Sequence, residues 1–255
     1  MVTSFSVNTG GLGRFGNQLF TIAGCIGIAI KNGHEFGFPE WINQDNKIFG
    51  ENNDKMSQYF VNPLPSIPDV RWEKIEYKWE FEFPNLGNHN YDIFRHLQSP
   101  KYFEHCIDVV RHYFTLKNEP EQNNYCAIHY RAGDYIDNPH AFHPRCSLEY
   151  YTEAMEHFSD EQQFVVFSDD IEKAMELFGG LVKRINYVRE RDYIKNFAYM
   201  KKCKHFIIAN SSYSAMAALL ADHPEKKVIA PLRWFGKEGQ AWETKDIYHE
   251  TWIKI

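Results

Sequence analysis

From Tyr125 onward, short apolar runs alternate with amphipathic segments, and this alternation leaves few architectures open. Tyr125–Tyr130, Phe164–Phe167, Ile185–Val188, His205–Ala209 and Val228–Ala230 have the length and the β-branched and aromatic content of buried strands. Between them the spacing predicts helices. Ser147 caps one through Tyr150, Tyr151, Ala154, Met155 and Phe158, and another through Ala174, Leu177 and Phe178 stops at Gly179-Gly180. Asp192 caps a third through Ile194, Phe197, Ala198 and Met200, and Tyr213–Ala221 forms a fourth. Strands alternating with helices predict the α/β class, with a parallel sheet covered on both faces. Such sheets bind ligands beyond the carboxyl ends of their strands. Three polar clusters fall there: His129 to Tyr135, Ser168 to Asp170 and Asn210 to Ser214.

The first half opens in a similar way, with Ser4–Val7 expected as a strand, Gly10–Gly16 as a loop, Asn17–Ile30 as a helix and Glu35–Phe38 as a following strand. Residues 43–95, rich in Asn, Pro and aromatics, read as irregular loops or short strands. The polar, proline-containing stretch Lys117–Asn124 suits a linker. The expected organisation is a domain over 1–117, a second over 118–235, and a tail over 236–255, with Trp242 and Trp252, that packs back on the body. A chain of 255 residues is ample for a sizeable core. Its net charge of −6 argues against nucleic-acid binding by phosphate neutralisation. Five cysteines without a C-x-x-C pair fit reduced thiols in a cytosol-like compartment. The longest apolar run, Leu19 to Ile30, falls short of the about 20 residues a bilayer needs, and no leader precedes it.

Each polar cluster supports two readings on its own residues. Gly10-Gly11-Leu12-Gly13-Arg14-Phe15-Gly16-Asn17-Gln18 lets the backbone approach a ligand at a helix N-terminus, with Arg14 meeting an anion and Asn17 a hydroxyl; it also reads as a tight turn. Gly11, Gly13 and Gly16 meet the dinucleotide spacing, but no clear acidic residue ends the next strand, and a Gly-Lys-Ser/Thr P-loop is missing. His129 and Arg131 share one side of an extended strand end, where a guanidinium can clamp phosphate oxygens or pair with Asp134. Asn210-Ser211-Ser212-Tyr213-Ser214 offers a phosphate cradle or a helix cap. Ser168-Asp169-Asp170 is a capping sequence, or an acceptor for guanine or ribose. The basic stretch Lys183 to Lys204 reads as a solvated face. His140 and His143 lack the companions of a metal site, and no metal is assigned.

Taken together and in order, Gly13-Arg14-Phe15-Gly16-Asn17-Gln18, His129-x-Arg131-x-Gly133-Asp134-Tyr135, Phe167-Ser168-Asp169-Asp170 and Cys203 to Ser214 resemble the α-1,2-fucosyltransferases of glycosyltransferase family 11. The first block is also similar to that of the protein O-fucosyltransferases. The resemblance implies a GT-B fold, with two Rossmann-like domains facing across a cleft, acceptor at the first and GDP mainly at the second. It implies metal-independent inversion, with GDP-fucose as donor, a galactose-type glycan as acceptor and no cofactor. By position, Arg131 would stabilise the β-phosphate of departing GDP, His129 would support the diphosphate, and Asp169 or Asp170 would read guanine or ribose. Ser211 to Ser214 would hold phosphates, with Asn17 near the reacting centre. Asp134 is a candidate proton acceptor or an orienter of Arg131, and the base is left open. The protein is expected in the cytoplasm or peripheral to a membrane where glycans are assembled. One departure stands out: where the family carries a second arginine, this chain has Ala132, and Ala215 and Met216 replace a tryptophan pair. Transfer of another GDP-deoxyhexose, protein O-fucosylation, or ligand binding without catalysis stay open. Trp72–Phe83 and His140–Arg145 are candidates for shaping the acceptor site.

Overall fold

The computed structural model describes residues 1–9, 13–43, 54–76, 81–132, 143–236, 239 and 244–255. The chain divides into two compact units, the first comprising Met1–Lys117 with Lys245–His249 and the second Asn118–Thr244 with Glu250–Ile255.

In the first unit, β1 (Val2–Thr3), α1 (Ser6–Thr9), α2 (Phe15–Lys31), β2 (Ile42–Asn43), β3 (Asp54–Lys55), β4 (Glu73–Glu76), β5 (Tyr91–Phe94) and α3 (Ile107–Tyr113) follow in order. A parallel sheet runs β1-β5-β4, and β2 and β3 form a separate antiparallel pair. The 17-residue α2 is the core element, buried nearly throughout from Phe15 to Ala29. It lies unusually close to its neighbours: a Cβ on Gly27 would collide with the Tyr102 carbonyl. Ser4–Val7 does not extend as the sequence pattern suggests. Ser4 and Ser6 hydroxyls bond at 2.6 Å and Phe5 N donates to Asp92 Oδ1 at 3.0 Å, so local polar contacts turn the chain out of β1 into α1. Glu35–Phe38 contributes single bridges, Val2 to Phe36 and Phe38 to Ser66, in place of a full strand.

The second unit is built from β6 (Cys126–Tyr130), α4 (Leu148–Glu156), β7 (Gln163–Ser168), α5 (Ile171–Phe178), β8 (Arg184–Tyr187), α6 (Tyr193–Lys201), β9 (His205–Ile207), α7 (Ser212–Leu220), β10 (Val228–Ala230) and β11 (Ile253–Lys254). The caps match the sequence pattern: Ser147 accepts from Tyr150 N, and Asp192 from Ile194 N and Lys195 N. Every residue of β6 and β10 is buried, as a central strand covered on both faces requires, whereas the edge strand β8 alternates between partly buried and exposed. All strands run parallel in the order β11-β10-β9-β6-β7-β8. Counting β6 as the first strand, this is the doubly wound 3-2-1-4-5-6 order, and the winding reverses between β6 and β9. Ligands of such sheets bind at that reversal, which is flanked by His129 to Ala132 on one side and Asn210 to Ser214 on the other.

Candidate active site

At the carboxyl end of β6, side chains alternate between two environments. Tyr130 and Ala132 enter the apolar core with Tyr151, Ala154 and Phe178. His129 faces α7, where its Nδ1 lies 2.9 Å from Ser214 Oγ and its ring packs on Tyr213 at 5.5 Å. Burial, then the charge of Arg131, pulls the His129 imidazole down to about 3 against a partial opposing pull from Asp169. The ring is therefore neutral at physiological pH, a hydrogen-bonding group and not a cation.

Arg131 stands one residue beyond the strand. Its Nη1 lies 3.0 Å from Asp169 Oδ2, and Asp169 Oδ1 accepts from Ala132 N at 2.8 Å. The sheet register explains this meeting. Tyr130 pairs with Ser168, so the next residues on β6 and β7 are Arg131 and Asp169. One carboxylate thus fixes both the guanidinium and the backbone leaving β6. A guanidinium carries five N–H donors in a planar fork whose geometry suits carboxylate and phosphoryl oxygens alike.

The other residues expected at the site make contacts within the protein. Asp169, expected to read guanine or ribose, has both oxygens engaged with Arg131 and Ala132. Asp170 caps α5 through Lys173 N at 3.1 Å and pairs with Lys173 Nζ, and these contacts hold its carboxyl below the usual range. Ser168 Oγ accepts from Asp170 N and donates to Asp170 O, closing the same turn. Asn210, expected at the phosphates, is buried and acts as a staple: its Nδ2 donates to the carbonyls of Pro144 and Trp234, both at 2.9 Å. Tyr213 donates its hydroxyl to Tyr193 O, and Ser214 is fully buried against His129. Ser211 occupies the N-cap of α7 in extended backbone without its hydroxyl closing a capping bond, and with Ser212 it sits at the positive end of the helix dipole. The basic stretch is paired internally: Lys183, Arg189, Lys195, Lys201, Lys202 and Lys204 each meet a carboxylate.

In the first unit, Gly13 adopts φ 86, and a Cβ there would collide with Asn17 Nδ2. Its carbonyl accepts from Gln18 Nε2 at 3.3 Å, and Gln18 in turn accepts from Trp41 Nε1 at 2.7 Å. Arg14 is the exposed N-cap of α2, and Gly16 is buried in the first turn. Asn17 Oδ1 accepts from Gln98 Nε2 at 2.7 Å. Gly10 to Leu12, Asp134 and His140 lie outside the described residues. Sequence reasoning missed Gln98, which lies 81 positions from Asn17 and carries no local signal.

The buried Ala132 bears on the departure from the second arginine. Its side chain is fully enclosed by the core, so a long cation there would displace packed groups. Among the described residues no helix is long and apolar enough to cross a membrane.

Over 145 residues the chain is 37% identical to the O-antigen biosynthesis glycosyltransferase WbnK of Escherichia coli, a match covering 53% of this chain and 46% of that protein. The chain thus spans about half the length of WbnK. An alpha-1,2-colitosyltransferase of Escherichia coli is 26% identical over 215 residues, covering 76% of this chain and 73% of that one. Among solved structures, the fucosyltransferase NodZ from Bradyrhizobium superposes with a TM-score of 0.54 at 12% identity, covering 86% of this chain and 92% of NodZ. At that identity the likeness is one of fold, and the fold is GT-B. Residues 69–255, well over half of the chain, match the glycosyl transferase family 11 profile, and the chain belongs to that family.

Proposed function

We propose that this protein is an inverting glycosyltransferase that moves L-fucose, or a closely related deoxyhexose, from its GDP-sugar to a hydroxyl of a galactose-type glycan, in α-1,2 linkage. The observation that carries this reading is Arg131, held at the winding reversal of a doubly wound sheet by Asp169 and flanked by neutral His129 and the N-terminus of α7. As the glycosidic bond to GDP breaks, negative charge builds on the β-phosphate. A preorganised guanidinium and helix-end amides lower that barrier because they are already oriented when the charge appears. The acceptor hydroxyl attacks from the opposite face of the sugar as the bond from the anomeric carbon to GDP breaks, its proton passing to water or to the departing diphosphate, and the configuration inverts.

The colitosyltransferase relative supports a second donor. That relative is named for colitosyl and not fucosyl transfer, and the similarity spans 76% of this chain. Purified protein offered GDP-fucose and other GDP-deoxyhexoses, each with galactose-terminated oligosaccharides, tests both. Product mass and linkage analysis should give one preferred donor and an α-1,2 product. GDP binding without transfer or hydrolysis from any donor would overturn the enzymatic reading.

A further inference from the structure

The sheet of the second unit opens at the winding reversal because the pairing of its strands ends unevenly. Along β6, pairing with β7 runs on to Tyr130 and Ser168, whereas pairing with β9 stops at Ile128 and Ile207. One residue further on, the His129 carbonyl takes its hydrogen bond from a side chain, the Tyr151 hydroxyl on α4, at 2.9 Å. The neighbouring Tyr150 does the same on the far side of β9. There Ile208 N donates to Ile229 O, and the donor that would return to Ile208 O is the amide of residue 231, a proline without an N–H. The Tyr150 hydroxyl stands in its place at 2.6 Å. Two adjacent tyrosines of α4 thus close the backbone ends of β6 and β9, the strands that flank the reversal.

The two bonds differ in what they hold. Tyr151 is fully buried, with its ring edge-on to Tyr130 and Phe178, and burial raises its hydroxyl well above the usual range, so it stays a donor. Its acceptor belongs to the residue two before Arg131. Just after Arg131, the Ala132 amide is held by Asp169. The backbone carrying Arg131 is therefore anchored at a carbonyl before it and at an amide after it. We propose that Tyr151 is a positioning residue: its hydroxyl fixes the exit of β6, and with it the direction in which Arg131 leaves the sheet towards the diphosphate. The assignment rests on the transferase reading above.

Tyr151→Phe tests it, because phenylalanine keeps the ring contacts and removes only the donor. The expected result is a fall in kcat of about tenfold with a smaller change in KM for the GDP-sugar, as a misplaced reacting group produces. With Arg131→Ala already in place, the same change should alter kcat less than about twofold, since the group it aims has gone. An equal loss in both backgrounds would mean a general loosening of the sheet, and near-normal kcat in the single variant would mean that β6 holds its course unaided. Either result overturns the proposal. The contact has a readout free of turnover: the His129 carbonyl 13C resonance should move upfield in Tyr151→Phe while the amide dispersion of a folded protein is kept. An unmoved resonance overturns the contact. Wild-type protein that transfers nothing from any GDP-sugar would sink the transferase reading and the catalytic half of this one, and the resonance alone then decides whether Tyr151 holds the end of β6.

Discussion

The two candidate regions hold their key side chains by opposite means. In the second unit, Arg131 is fixed by regular structure, since parallel pairing of β6 with β7 sets Asp169 beside it as the next step of the ladder. In the first unit, Asn17 is fixed by irregular structure: a glycine at positive φ on one side and, on the other, the left-handed turn at Leu97 that carries Gln98. A site built on a sheet register tolerates loop variation, because the register is enforced by many backbone bonds. A site built on two unusual backbone conformations depends on the few residues that make them possible.

The largest difference should appear on removing the charge. Arg131→Ala is expected to lower turnover by about a hundredfold or more, the scale of losing one preorganised electrostatic donor, with the melting temperature little changed. Steady-state kinetics with the preferred GDP-sugar measures it, and near-normal turnover would remove Arg131 from the chemistry.

Gly13→Ala probes the other region. Positive φ and the collision with Asn17 should lower stability by about 1–2 kcal/mol. Gly180→Ala, with open space around it and ordinary backbone, should be close to neutral. Denaturant unfolding of the two variants makes the comparison, and equal stability would mean that the α2 entrance does not depend on its glycine.

The smallest effect concerns pH. Folded His129 titrates at about 3 against an ordinary 6.5, so the unfolded chain takes the proton first as pH falls. The stability carried by neutral His129 is complete above about pH 6.5 and is lost progressively towards 3. His205, drawn down to about 4 by burial and neighbouring lysines, contributes over part of the same window. His129→Asn should therefore flatten the fall of melting temperature between about pH 7 and about pH 4 without abolishing it. An unchanged slope would mean that the buried imidazole is not the titrating group.

Much of the second unit was legible in the sequence because its signals are local. Ser147 and Asp192 cap helices whose apolar spacing is plain, and Val228–Ala230 is an uninterrupted buried strand. The positions of His129 and Arg131 followed from the same alternation. Their partners did not. Whether Asp169 meets a ligand or Arg131 depends on the register between β6 and β7, which no stretch of either strand encodes alone. Asn210 illustrates the same limit: Asn-Ser-Ser after a strand looks like a cradle, yet the contacts that bury Asn210 come from Pro144 and Trp234, remote in sequence. In the first unit, Ser4–Val7 carried a strand pattern that side-chain bonds among Ser4, Ser6 and Asp92 overrode. The left-handed Leu97 left no trace in composition at all.

A double-mutant cycle on Arg131 and Asp169 reaches the central claim most directly. Asp169→Asn, measured by GDP release with a galactose-terminated acceptor, is expected to lower kcat by about tenfold alone and to add almost nothing once Arg131 is alanine. A loss of the same factor in both backgrounds, accompanied by weakened preference for guanine over other bases, would mean that Asp169 reads the nucleotide itself and that Arg131 is held by something else.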